Sequence, residues 1–387
     1  MLRAVPAASR SSRGAGKLSR LRRMIDTFAP SPTSPLRSRV IARLGSLLLL
    51  LTGNSMSFGQ GPPAAPPAHL EWITPPALKP GDKIALVAPA GPIDLAKVET
   101  YVAQMRREGF EVQLPPGIDR RADYLAGSDD QRIDELNAAI RDPSVRAIFP
   151  CRGGYGVMRT LDRVDYAALR RDPKIITGFS DITGLHMAIS RHSRLVTFHS
   201  PMPMYELYRK EPEFDFAAKS FRRAIFAAEY PAGAVGFTVP APPPSAPPVE
   251  KLVGGKARGR IWGGNLTLVC GTLGTPYALE PEGAILLLED LDEPPYRVDR
   301  YLAQLRLAGV FDRIAGVIVG DFHATKPEET PTVHRVIREY LKDLRVPVVL
   351  NFPVGHVPLN ATLPHGAMAE LDADAGTLRI LENSVRP

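Results

Sequence analysis

From Gly81 onward, short apolar runs alternate with stretches whose apolar residues recur every three or four positions. Residues 83–87 (KIALV), 111–114, 147–150 and 174–177 fit strands. Residues 95–108 fit a helix with Leu95, Val98, Val102 and Met105 on one face, and 128–141 another with Ile133, Leu136 and Ile140. A third helix starts after Gly178-Phe-Ser180 and runs through Leu185 and Ile189. Further along, 284–288 and 347–350 fit strands and 297–308 a helix. Strands separated by helices of this length predict an α/β fold with a parallel sheet covered on both sides. At 240–248 (PAPPPSAPP), six of nine residues are proline, which continues neither a helix nor a central strand. The expected organisation is a Rossmann- or flavodoxin-like N-terminal domain at 78–239, a linker at 240–250 and a smaller C-terminal α/β domain at 251–387.

Composition narrows the function. At 387 residues, 44% hydrophobic and 23% charged, the chain has the make-up of an ordinary globular protein of about two domains. No segment approaches the roughly 20 apolar residues of a spanning helix. Two cysteines, Cys151 and Cys270, cannot build a disulfide framework or a Cys-rich zinc site. The net charge of +7 is concentrated at one end: residues 1–43 hold ten Lys/Arg and one acid, Asp26. Subtracting these from 48 basic and 41 acidic residues leaves 38 and 40, a net of −2 for 44–387, so no nucleic-acid partner is expected. The basic stretch ends at Arg43, the apolar run LGSLLLLL (44–51) follows, and Ser57-Phe-Gly59 offers a small-x-small cleavage site. That order predicts a signal peptide at 1–59 and a periplasmic or secreted protein, with a Pro/Ala-rich tether at 60–77; a start at Met24 would give the leader a more usual length.

In parallel sheets, reactive groups gather at the carboxyl ends of the strands. Arg152-Gly-Gly-Tyr-Gly156 follows one strand, and its glycines suit a phosphate cradle, half of an oxyanion hole or simply a tight turn. Gly178-Phe-Ser180-Asp181 follows another and has the logic of a nucleophile elbow, although it lacks the second glycine of G-x-S-x-G. Ser180 or Asp181 capping the following helix explains the stretch equally well. A serine nucleophile needs a base and a group to orient it. Among eight histidines, His69 lies in the tether, His186 and His192 on the elbow's helix and His334 in a helical stretch, whereas His356 lies in a turn-rich loop after the strand at 347–350. Acid candidates follow the strand at 284–288. Glu289 and Asp290 are adjacent, so they face opposite ways, and the residues alone do not choose between them; a solvated helix-start patch is the plain alternative.

Several stretches together resemble the LD-carboxypeptidases, a serine peptidase family. They are GDKIALVAPAGP (81–92), RGGYG (152–156), GFSDIT (178–183), GGNLTLVCGTLGTPY (263–277), LLLEDLDEPPYRVDR (286–300) and GHVPLNATLPHG (355–366), in order across about 78–385. The resemblance implies a Ser–His–Glu triad of Ser180, His356 and Glu289, which selects Glu289 over Asp290. It also implies an oxyanion hole from the backbone N–H groups of Asp181 and Gly154, a site spanning the two domains, a homodimer, and no metal or other cofactor. Its substrate would be murein tetrapeptide, cut before a C-terminal D-alanine, and Arg152 has the charge to meet the terminal carboxylate. One alternative within the family is a microcin-immunity-like hydrolase of aminoacyl nucleotides, with a specificity loop at 196–229 carrying Met202, Met204, Tyr205 and Tyr208. A non-catalytic peptidoglycan-binding protein is a third reading, and the complete triad argues against it. The leader departs from well-known members that work in the cytoplasm.

Overall fold

The computed structural model describes residues 70–203, 212–226, 229, 235–323 and 332–386. The leader at 1–59, the tether as far as His69, and Met204, Tyr205 and Tyr208 lie outside the described residues.

The first half of the chain supplies strands β1 (Lys83–Val87), β2 (Glu111–Gln113), β3 (Val145–Pro150), β4 (Ile175–Gly178) and β5 (Thr197–His199). Helices α1 (Leu95–Arg107), α2 (Asp129–Arg141), α3 (Tyr166–Arg171), α4 (Ile182–Ser193) and α5 (Pro212–Ile225) accompany them. β6 (Phe237–Thr238) closes this half just before the Pro-rich segment, and the second half adds β7 (Glu250–Val253), β8 (Lys256–Asn265), β9 (Ile285–Leu291), β10 (Gly316–His323) and β11 (Val348–Leu350). It ends with β12 (Leu363–His365), β13 (Met368–Asp372) and β14 (Thr377–Ile380), and contains helices α6 (Leu266–Thr272), α7 (Pro295–Leu307) and α8 (Val333–Leu341).

Two sheets result. The first runs β12-β5-β4-β3-β1-β2, with β1 to β5 parallel and β12 antiparallel at the edge. Its parallel part has the flavodoxin-type order 2-1-3-4-5. The second runs β6-β14-β13-β8-β9-β10-β11-β7, with β8 to β11 parallel and antiparallel strands on both sides. The fold is therefore α/β, with one mainly parallel sheet and one mixed sheet.

Local chemistry explains the elements that the pattern predicts. β1, β3 and β4 are buried almost throughout, so they carry continuous apolar runs and not an alternation. Ser128 and Gln131 form a capping box at the start of α2, and Asp94 caps α1. Pro295 opens α7 two residues before the predicted start; its missing N–H is no loss in a first turn.

The Pro-rich segment divides the sequence but not the sheets. β6, which precedes it, pairs with β14 in the second sheet, and β12, which follows it, pairs with β5 in the first. Residues from 71 on already belong to the body: Ile73 bridges Leu195, Pro76 bridges Arg386, and Ala77 and Leu78 are buried. One apolar cluster runs through both sheets, joining Phe149 and Phe198 to Ile261, Leu287 and Val349. No helix among the described residues is long and apolar enough to cross a membrane.

Candidate active site

The carboxyl ends of the two parallel strand sets meet. Asn265, ending β8, donates its backbone N–H to Thr183 Oγ1 of α4 at 3.0 Å, and Gly264 approaches the same threonine so closely that a Cβ would lie 2.6 Å from Oγ1.

β4 ends at Gly178, and the chain then turns sharply into α4 through Phe179, Ser180 and Asp181. Ser180 has φ +62°, a left-handed conformation that costs a non-glycine residue on the order of 1–3 kcal/mol and must be held by its surroundings. The holding contacts are present. Phe179 and Asp181 are buried, Ser200 N–H donates to the Gly178 carbonyl at 3.0 Å, and His186 Nε2–H donates to the same carbonyl at 2.8 Å. Burial lowers the His186 pKa to about 3, so its ring is neutral, and it braces the turn from behind. Neither Ser180 nor Asp181 caps α4 with its side chain. Asp181 Oδ2 instead accepts from Val157 N at 2.9 Å, and burial pushes its carboxyl up to about 6. The backbone N–H of Asp181 opens the helix, where the helix dipole favours negative charge.

The loop after β3 passes over this turn. A Cβ on Gly153 would lie 2.8 Å from Ser180 Cβ, 2.9 Å from Oγ and 3.2 Å from Asp181 N, an approach that only glycine permits. Gly154 follows with φ +108°, packed on Gly91, whose N–H donates to the Gly153 carbonyl at 3.0 Å. Arg152 is half-buried; its Nη1 donates to the Pro92 carbonyl at 3.0 Å, and its buried Nε has no hydrogen-bond partner among the described residues.

The second sheet brings Glu289, Asp290 and His356. β9 continues through Glu289 and Asp290 to Leu291, three residues past the predicted end, and both acids are buried, so they form no solvated patch. Strand alternation separates them. Glu289 Oε2 accepts from His356 Nδ1 at 2.7 Å. Asp290 turns the other way and accepts from Asn265 Nδ2, from Thr267 N and Oγ1, and from Leu291 N, anchoring the start of α6. Burial and the neighbouring Glu289 charge nevertheless push the Asp290 carboxyl up to about 6.

His356 lies in the loop after β11. Gly355 has φ +125° and a Cβ there would lie 3.1 Å from Glu289 Cβ; its N–H donates to Asn360 Oδ1 at 3.1 Å, which fixes the loop. The Phe179 ring packs edge-on against the imidazole with centroids 4.7 Å apart, so His356 stands beside the Ser180 turn. Burial alone would lower the His356 pKa, but the Glu289 carboxylate outweighs it and holds the imidazole above its ordinary value. Burial would likewise raise Glu289, and the facing histidines hold it below the usual carboxylate range. With Nδ1–H committed to Glu289, Nε2 is the nitrogen free to exchange a proton.

Of the other histidines, His192 lies against Tyr166 and Tyr277, and His334 is exposed on α8. Two residues at strand ends escaped the sequence reading: His199, closing β5 against Glu289, and Asp321 of β10, whose carboxyl burial raises. The rule that singled out the ends of β3 and β4 applies to both.

The sequence carries the same division. Residues 84–200 match the LD-carboxypeptidase N-terminal domain and residues 258–371 the LD-carboxypeptidase C-terminal domain. A probable murein peptide carboxypeptidase of Bacillus subtilis is 35% identical over 301 residues, covering 77% of this chain and 91% of that one. The murein tetrapeptide carboxypeptidase of Pseudomonas aeruginosa is 32% identical over 305 residues, covering 76% and 94%. The chain belongs to the LD-carboxypeptidase family. The microcin C7 self-immunity protein MccF of Escherichia coli is 26% identical over 326 residues, covering 78% of this chain and 94% of that one. A structure of MccF in complex with aspartyl sulfamoyl adenosine aligns with a TM-score of 0.73 at 25% identity, covering 81% of this chain and all of that chain.

Proposed function

We propose that this protein is a serine L,D-carboxypeptidase that removes the C-terminal D-alanine of murein tetrapeptide, acting as a homodimer without a metal or other cofactor. The observation that carries the reading is the strained Ser180 turn beside the buried Glu289–His356 pair. Ser180 Oγ attacks the carbonyl carbon before the terminal D-residue while His356 Nε2 takes the hydroxyl proton. The N–H groups of Asp181 and Gly154 receive the developing oxyanion. As the C–N bond breaks, His356 returns the proton to the leaving amine. Water then attacks the acyl-enzyme, gives its proton to His356 and releases the shortened peptide, and Ser180 recovers its hydrogen. Glu289 keeps the proton on Nδ1 and stabilises the imidazolium in both halves. Arg152, beside the glycine loop, meets the substrate's terminal carboxylate.

The test is mass spectrometry of L-Ala-D-Glu-meso-diaminopimelate-D-Ala incubated with purified protein. Loss of D-alanine is expected, and Ser180→Ala should lower kcat by about 10⁴–10⁶-fold with an unchanged Tm. Turnover retained by the alanine variant would falsify the nucleophile. The likeness to MccF favours a second reading, hydrolysis of aminoacyl nucleotides. Aspartyl sulfamoyl adenosine belongs in the same experiment, and cleavage of it without cleavage of the tetrapeptide would reverse the order.

The reading includes export. The basic residues through Arg43, the apolar run 44–51 and Ser57-Phe-Gly59 support cleavage near Gln60, and the near-neutral remainder gives the basic leader no evident work in the mature protein. N-terminal sequencing from a native host should begin near Gln60; soluble cytoplasmic protein with an intact leader would sink the proposal.

A further inference from the structure

The hydrogen bond to His356 uses only one oxygen of Glu289. The other, Oε1, is buried with no hydrogen-bond partner among the described residues. The polar atom facing it is His199 Nε2, 3.7 Å away, on side chains that are 1% and 0% exposed. Neither nitrogen of His199 has a hydrogen-bond partner among the described residues. A buried donor and a buried acceptor, each left without a partner, are costly apart and stabilising together. Their separation exceeds an N–H···O bond by about 0.8 Å and leaves no room for a bridging water.

The neighbouring histidines are already committed. His186 donates from Nε2 to the Gly178 carbonyl. His365 accepts at Nε2 from Gly263 N at 3.2 Å, so its proton lies on Nδ1, which faces Ser190 Oγ at 2.8 Å. His199 alone of this buried group points a free ring nitrogen at the Glu289 carboxylate. It stands on β5 of the sheet that carries Ser180, whereas Glu289 stands on β9 of the sheet that carries His356.

We propose that His199 is a positioning residue: its Nε2–H donates to Glu289 Oε1 in the working enzyme, so one carboxylate is held between two histidines, one from each sheet. The contact stops Glu289 from rotating about its last torsion and draws part of its charge away from His356. It also ties the base to the nucleophile's sheet. The inference rests on the triad reading above. The other ionisable groups facing the pair are Asp290 on β9 and Asp321 on β10, with His186 on α4 and His365 on β12 behind His199.

The experiment compares wild type, His199→Leu and His199→Gln in the full chain by two readouts: steady-state cleavage of the tetrapeptide, and NMR titration of the His356 ring without substrate. Leucine removes the donor, whereas the glutamine amide reaches the place of Nε2. Removal of groups that orient a functional side chain from behind costs about 10–100-fold in metal sites, and a kcat loss of about that size is expected for leucine, with KM little changed. The His356 pKa should rise in the leucine variant, because the carboxylate then keeps its full charge for that ring. Glutamine should restore most of kcat and return the titration to that of wild type. Equal loss in both variants, or a His356 titration that does not rise in the leucine variant, would overturn the proposal. His199→Asn, whose amide is too short to reach Oε1, replaces leucine if that variant does not fold. Wild-type protein inactive on the tetrapeptide would defeat the functional reading instead, and the substrate-free titration would still decide the role of His199.

Discussion

Glu289 and Asp290 are consecutive buried acids on one strand, yet their surroundings assign them different work. Glu289 faces His356, and Asp290 faces three donors at the start of α6 and the N–H of Leu291. Glu289→Gln keeps the shape but presents an amide N–H or a weaker acceptor to Nδ1, so the imidazole loses its tautomer and its counter-charge. A fall in kcat of about 10⁴-fold is expected with little change in Tm. Asp290→Asn places amide hydrogens against groups that themselves donate, and should cost about 1–3 kcal/mol of stability with a much smaller effect on kcat. Steady-state kinetics and thermal melts of the two variants check both halves, and the reverse pattern would exchange the two roles. From the residues alone this choice was open: period-two alternation says that the two acids part, but not which side the histidine is on. His199 was overlooked for a related reason. β5 is only three residues long and the apolar pattern does not mark it, so the rule for strand ends had no end to point to, and only the meeting of the two sheets brings His199 to Glu289.

At the scale of elements, the turn that holds Ser180 depends on the loop after β3 lying against it. Gly153 has no strained φ, so alanine is permitted by the backbone and excluded only by space, with its Cβ 2.8 Å from Ser180 Cβ. Gly153→Ala should therefore push the loop away from Ser180 and Asp181 N and lower kcat by at least about 100-fold, the scale of losing one oxyanion donor. The Tm should change little, because the loop can lift. An alanine variant with wild-type kcat would show that the loop does not border the reacting atoms. β1, β3 and β4 of the first sheet were legible because burial on both faces gives unbroken apolar runs. β8 was not, because Gly259 and Gly263 stand where backbones nearly touch and Gly264 lies against the Thr183 side chain: a Cβ at Gly259 would lie 2.1 Å from the Gly283 carbonyl oxygen. Glycines chosen for close approach erase the apolar signature of a strand. β9 runs past its apolar stretch for the opposite reason, since Glu289 and Asp290 are polar yet buried.

At the scale of the whole described body, the proline-rich segment invites a division into two independent domains, and the strand pairing opposes it. β6 comes from the first half of the sequence and pairs with β14 through Thr238 and Arg379 and through Phe237 and Ile380. β12 comes from the second half and covers the edge of β5 through Phe198 and Pro364. Side chains add further ties: Thr362 N donates to Ser220 Oγ at 2.9 Å, and Ser384 Oγ donates to the Ala224 carbonyl at 3.0 Å. Separating the halves would expose the β5 edge and open the apolar cluster that runs through both sheets. Each half lacks strands that only the other supplies. Fragments 78–239 and 251–387 expressed alone should therefore be poorly folded, with collapsed amide dispersion and no cooperative melt. The intact body should unfold in one transition, and co-expressed halves should recover activity that neither has alone. A cooperative melt from either isolated fragment would show that the exchanged strands are decoration and that the site forms between two self-sufficient domains. The expected result makes the exchange functional. Ser180 and the Glu289–His356 pair come from different halves, and the crossed strands hold those halves together.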